Sequence, residues 1–220
     1  DHQGLFQSWQ PYAALKTFTY HFGFHANVAF THYLTGIDVP RSLVLSGQVL
    51  NALTIPLAFT LLRALGGTRW AGVWAALVVG FVGNMPAFFV NWGRYTQLAG
   101  QIVLMALVVC WVALAEYREP GTESREPHAE RRGFRVSLHA FPYRLALLAA
   151  LVTAGMLLTH YLVTVLAALF VLGYFVMLAL ARRDARLIGR IVLRAMPAAA
   201  VALLLALPWL LNVLRGQLLR

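Results

Sequence analysis

The chain has 220 residues, of which 60% are hydrophobic and only 12% are charged. A water-soluble domain of this size cannot hide that much apolar surface, so the composition excludes a soluble globular protein and places the chain in a membrane. The formal net charge of +10 does not point to nucleic acid, because the arginines gather in short loops between apolar runs, as the positive-inside rule requires of a multi-pass membrane protein.

Residues 1–40 come first and are polar and aromatic. Trp9, Tyr12, Phe18, Tyr20, Phe22 and Phe24 suit the headgroup zone, where amphipathic rings settle. Residues 20–35 are expected to form a helix lying along that interface. Asp38 precedes Val39, Pro40 and Arg41 and reads as a helix start. A first membrane span is predicted over 42–65, containing Pro56, and a second over 70–90, containing Pro86. A short polar tip, Asn91-Trp-Gly-Arg-Tyr-Thr-Gln97, joins the second span to a third over 95–117. Residues 118–142 are rich in Pro, Gly, Glu and Arg and are expected to form a solvated loop.

From 145 to 181 the chain carries no Asp, Glu, Lys or Arg. A single helix there would run roughly 55 Å at ~1.5 Å per residue, too long for one crossing of a ~30 Å hydrocarbon layer. The run is therefore split at Thr159, His160 and Tyr161. The last span is predicted over 191–213, with Pro197 and Pro208 inside it. Charge counting supports the split. With six spans and residues 1–40 outside, thirteen Arg and Lys fall inside and five outside, whereas one span over 145–181 gives ten and eight. The expected fold is an all-α, multi-pass transmembrane bundle of about six spans with an N-terminal outer-face interfacial helix. Its parts are the 1–40 region, three helices in 41–117, a cytoplasmic loop at 118–142 and three helices in 143–220. The first residue is Asp1 rather than Met, so the chain is expected to be part of a longer protein. Cys110 lies alone inside an apolar run and is expected to be inert.

This topology sorts the unusual polar groups onto one side. His128 falls in the hydrophilic loop and His139 near its end, whereas His2, His21, His25, His32 and His160 all fall outside, with Asn91, Arg94 and Gln97. Such asymmetry points to a site at the outer membrane surface. His21, His25 and His32 share one face if 20–35 is helical. The His21 and His25 pair has the spacing to chelate zinc, but the glutamate of an H-E-x-x-H motif is absent. A polar stripe on an interfacial helix and contact with a phosphate or sugar are the other readings. Arg94 is the only charged residue between Arg69 and Glu116. It reads as a snorkelling anchor, as a partner for Asp38, or as a bidentate phosphate contact. His160 and Tyr161 read either as buried packing or as the wall of a wet cavity. Asp1 and Asp38 are the only acidic residues outside.

Ser8-Trp-Gln-Pro-Tyr12, Phe18-Thr-Tyr-His-Phe-Gly-Phe-His25, Asn91-Trp-Gly-Arg-Tyr-Thr-Gln-Leu-Ala-Gly100 and the pair His160-Tyr161 together resemble polytopic bacterial or archaeal membrane proteins of the glycosyltransferase C superfamily. The resemblance implies transfer of a sugar from a polyprenyl-phosphate carrier to an acceptor on the outer face of the cytoplasmic membrane. It implies a carboxylate in the first outer loop as base, basic residues on the phosphate leaving group and, in some members, a divalent metal. Carried onto this sequence, Arg94 becomes a phosphate contact, with Asn91 and Gln97 beside it, and His21, His25, His160 and Tyr161 become the cavity wall. Asp1 and Asp38 are the acidic candidates for the base, and the family's acidic motif tends to lie upstream of Asp1. Two rivals stay open: a non-catalytic membrane subunit in a complex with other membrane subunits, and a transporter or lipid flippase, which Gln48, Asn51 and Asn84 keep in view.

Overall fold

The computed structural model describes residues 21–84, 87–117, 142–183 and 185–218, and every regular element among them is helical. Asp1, the remainder of 1–20 and the predicted loop up to residue 141 lie outside the described residues. The first element, α1 (Gly23–Thr35), is the expected N-terminal helix, but it starts later than the sequence suggests. His21 therefore precedes the first turn, and the expected three-histidine stripe on one helical face does not form. The helix stops at Gly36, whose φ of 70° lies in the left-handed region, a conformation that costs a glycine little. The His32 Nδ1–H then donates to Ile37 O at 2.6 Å, so this ring is engaged by the turn that follows α1.

The next helix, α2 (Val39–Ala64), starts as its sequence predicts. Asp38 Oδ1 accepts the Arg41 N–H at 2.9 Å and Pro40 occupies the first turn, where its missing N–H costs nothing. Thr68 caps α3 (Arg69–Leu77) in the same way, accepting from Ala71 N at 3.1 Å. The second predicted span is not one continuous helix. It passes from α3 into a five-residue π-helical turn, Val78–Val82, then into extended backbone at Gly83, and resumes as the short α4 (Ala87–Asn91). Gly80, Gly83 and Pro86 explain the interruption: glycine weakens a helix interior and proline cannot donate to the preceding turn.

Three further helices, α5 (Tyr95–Glu116), α6 (Tyr143–Thr159) and α7 (Tyr161–Arg182), match their predicted spans, and α8 (Ala185–Leu218) carries both Pro197 and Pro208 inside it. The charge-free run breaks at His160, where φ is −165° and ψ is 104°. Among the described residues, five helical segments are long and apolar enough to cross a membrane: α2, the interrupted path Arg69–Asn91, α5, α7 and Ile188–Arg215 of α8; the 17-residue α6 is a shorter apolar helix.

Around α5 the bundle assembles its core, with Leu107, Trp111 and Leu114 buried against α6, α7 and α8. Ala146, Ala150 and Ala154 on α6 and Ala198, Ala202 and Ala206 on α8 recur at four-residue spacing and are all at most 6% exposed. Small residues at that spacing let two helices approach closely, which drives association in lipid, where there is no hydrophobic gain in bringing apolar helices together. At the far end of α5, the buried Arg194 of α8 donates to Tyr117 O at 2.8 Å and so satisfies a carbonyl at the end of that helix. Beside it, the Tyr174 hydroxyl donates to Glu116 Oε1 at 2.7 Å.

Candidate functional site

His160 is held by the backbone on both sides of the break. Its N–H donates to Met156 O at 3.0 Å and its carbonyl accepts from Thr164 N at 3.0 Å. Its Nδ1 accepts the Val163 N–H at 3.4 Å, which caps α7 and leaves the proton of the neutral ring on Nε2. The ring lies where the start of α1 reaches the end of α6. Gly23 makes that approach possible, because a Cβ there would fall 2.6 Å from Thr159 Oγ1 and 3.1 Å from the Leu158 carbonyl. Gly100 on α5 serves the third side, since a Cβ there would fall 2.9 Å from His160 Cβ.

His21 fills the space this creates. It is 2% exposed, its ring centroid is 4.6 Å from that of His160 and 5.7 Å from that of Tyr161, and His160 and Tyr161 stack at 6.1 Å. Burial pushes the His21 pKa down to about 4, helped by repulsion from His160 and then His25. Burial lowers His160 as well. Both rings are therefore neutral at pH 7 and offer polar, uncharged edges. Tyr161 remains half exposed at the rim. His25 packs edge-on against Phe24, at 5.8 Å, and reaches the surface.

The predicted polar tip stands beside this junction and is connected to it by aromatic rings. Tyr95 stacks on Phe24 at 5.6 Å with an interplanar angle of 5°, and its ring occupies the space left by Gly47 of α2. Next to it, Arg94 is exposed, with its guanidinium 3.9 Å above the Trp92 ring and its Nη1 donating to Gln97 Oε1 at 3.4 Å. Asn91 is exposed at the end of α4. Gly93 turns the chain with a φ of 69°. Arg94 does not pair with Asp38, which instead caps α2 and meets Arg41 Nε at 3.3 Å.

One end of the bundle thus gathers His21, His160 and Tyr161 in direct contact, His25 at their edge, and Asn91, Arg94 and Gln97 on the adjoining tip. His32 stays in the turn that ends α1. The sequence reading missed the Phe24–Tyr95 stack and the glycines Gly23, Gly47 and Gly100. Their signal was small residues facing large rings, which becomes readable only once the helix neighbours are known. Among the described residues no three His, Cys, Asp or Glu side chains are grouped to hold a metal ion. The arrangement can donate a hydrogen bond from His160 Nε2 to a hydroxylated ligand and hold an anion at the exposed Arg94. Comparison with family models, curated proteins and solved structures finds no match to the chain.

Proposed function

We propose that this multi-pass membrane protein is a glycosyltransferase-like enzyme that moves a sugar from a polyprenyl-phosphate donor to an acceptor hydroxyl on the outer face of a bacterial or archaeal cytoplasmic membrane. The observation that supports this reading is the convergence at one bundle end of His21, His160 and Tyr161 with the Arg94 tip, joined through the Phe24–Tyr95 stack. The resemblance assigns these same residues to the substrate cavity.

In this reading the acceptor oxygen attacks the anomeric carbon while the bond from that carbon to the donor phosphate oxygen breaks. The phosphate leaves with the electron pair and gains negative charge. Arg94, already oriented by Trp92 and Gln97, stabilises that charge through its fork of N–H donors. The acceptor proton passes to a carboxylate, for which Asp1, outside the described residues, is the candidate that the resemblance offers. His160, neutral and with its Nδ1 taken by the Val163 N–H, donates from Nε2 to a sugar hydroxyl without adding a competing charge, and the buried His21 ring packs behind it.

The test is transfer in proteoliposomes containing the full-length protein and a panel of labelled polyprenyl-phosphate sugars. Loss of one such charge-stabilising contact typically costs ~3–4 kcal/mol of barrier, a fall of roughly 10²–10³ in rate. Arg94→Ala is expected to show that fall while keeping its helical content. Near-normal transfer by Arg94→Ala sinks the assignment, and so does an inactive wild-type protein across the whole panel.

A second reading has a specific observation in its favour. Asp38, the only acidic residue at this end among the described ones, is engaged by Arg41 and the start of α2. This suits a non-catalytic membrane subunit, which would co-purify stoichiometrically with a partner and show no transfer alone.

A further inference from the structure

Away from the histidine junction, the bundle has a cleft that no described residue fills. α7 leans on α5 while α8 packs on α6, so α7 and α8 diverge and touch only sparsely. The resulting cavity, of about 340 Å³, is floored by Leu107 and Trp111 of α5 and Thr153 of α6. Its walls run from Thr164 to Phe175 on α7 and from Ala195 to Ala199 on α8. The span from Thr164 to Phe175 corresponds to ~16 Å of helix rise, close to the depth of one leaflet of a ~30 Å hydrocarbon layer.

Its chemistry is apolar throughout. The two hydroxyls that line it are already used: Thr153 accepts from Trp111 Nε1 at 2.9 Å and donates to Ala149 O at 2.7 Å, and Thr164 donates to His160 O at 3.0 Å. Water needs two or more polar partners to stay in such a space, so an apolar occupant is favoured. Leu172 and Met196, at 60% and 66% exposed, border an opening that faces the surrounding lipid.

Charge decides which lipid enters. The ends of α7 and α8 nearest Phe175 and Ala195 carry Arg182, Arg183 and Arg190, all exposed. Arg190 lies five residues before Ala195, or ~7 Å along the helix. At the opposite end the described part of this pair of helices offers Arg215 alone. Basic groups flanking an interhelical groove attract anionic headgroups.

We propose that this cleft holds one acyl chain of an anionic phospholipid whose headgroup lies against Arg182, Arg183 and Arg190. The lipid wedges α7 and α8 apart and completes the core over Trp111. The site does not depend on the transferase reading.

The experiment places the full chain in phosphatidylcholine vesicles and titrates in brominated phosphatidylglycerol or brominated phosphatidylcholine. Bromine quenches tryptophan on contact, and the quenching lost in Trp111→Phe is the part that reports the cleft. Phosphatidylglycerol is expected to produce half of that quenching at a several-fold lower mole fraction than phosphatidylcholine. The double variant Arg182→Gln, Arg190→Gln should abolish the preference. Ala168→Phe, which places a ring in the mouth, should remove the Trp111-dependent quenching by both lipids. Equal quenching by the two headgroups, a preference that survives the double variant, or no Trp111-dependent quenching overturns the proposal. If Ala168→Phe does not fold, native mass spectrometry of the wild-type protein decides in its place: a retained anionic phospholipid supports the site, and none retained overturns it.

Discussion

The histidine junction and the polar tip are neighbours, yet they are built in opposite ways. The junction is dense: His21 is 2% exposed, Thr159 is 6% exposed, and two glycines admit the helices that press on His160. The tip is open: Trp92 is 57% exposed, Arg94 is exposed, and a Cβ on Gly93 would meet nothing within 4 Å. The most distinctive segment of the sequence is thus the less constrained in space. The pair that interrupts an apolar run, His160 and Tyr161, sits where three helices meet. A ligand that met both would find a densely packed wall on one side and an exposed, oriented cation on the other.

Substitution of the glycines tests that contrast most strongly. Gly100→Val drives a branched side chain toward His160 Cβ and toward Val163 Cγ2, 3.2 Å from the added Cβ. It is expected to destabilise the protein by ~3 kcal/mol, the upper part of the range for overpacking. Gly93→Ala at the tip should cost only ~1 kcal/mol, from its positive φ alone. Reversible unfolding in mixed micelles measures both, and equal costs would erase the distinction drawn between the two regions.

Acidification tests the junction next. The folded-state pKa of His21 is depressed from 6.5 to about 4, so below pH 6.5 the unfolded state binds more protons than the folded one. The stabilisation from the neutral, buried ring is complete above pH 6.5 and is lost as the pH falls toward 4. A loss of ~2 kcal/mol is expected after allowance for solvent screening in a cluster open on one side. His21→Asn should flatten this window in a pH series of unfolding midpoints, whereas a substitution at the tip should leave it unchanged.

The smallest expected effect belongs to Trp92→Ala. An exposed cation–π contact is worth ~0.5–1 kcal/mol, and its loss should barely move the unfolding midpoint. Under the transferase reading the same variant should still weaken donor use, because it frees the Arg94 guanidinium from its orientation over the ring. A loss of stability greater than that from Gly100→Val would show the tip to be part of the core.

Much of the fold is legible in the amino-acid pattern. Spans of apolar residues bounded by Arg, Pro or Gly give α2, α5 and α7 close to their observed limits, while α8 begins six residues earlier and ends five later than expected; the split of the charge-free run, supported by charge counting and placed at Thr159, His160 and Tyr161, falls where the helix breaks. These features are local, set by the length of a run against the thickness of a bilayer and by the cost of burying charge. The second span was less legible, because hydropathy registers apolar residues and not the helix-breaking effect of Gly80, Gly83 and Pro86 within them. The His21 position was misread because no capping side chain marks the start of α1: Phe22 makes no side-chain cap hydrogen bond.

α5 and α7 show where the sequence stops informing. Both have 22 residues, with mean hydropathies of 2.4 and 2.6, yet 61% of the α5 window is buried inside the protein against 11% for α7. In lipid, an apolar side chain is equally at home against hydrocarbon or against another helix, so hydropathy carries no record of which neighbour it has. The sequence by itself determined a multi-pass helical membrane protein and most of its long apolar helices. Only the tertiary structure decided that α5 is the centre, that the alanine rows of α6 and α8 meet, and that His21 reaches His160. Those outcomes depend on close steric fit between helices far apart in the chain, where a missing Cβ counts for as much as any side chain present.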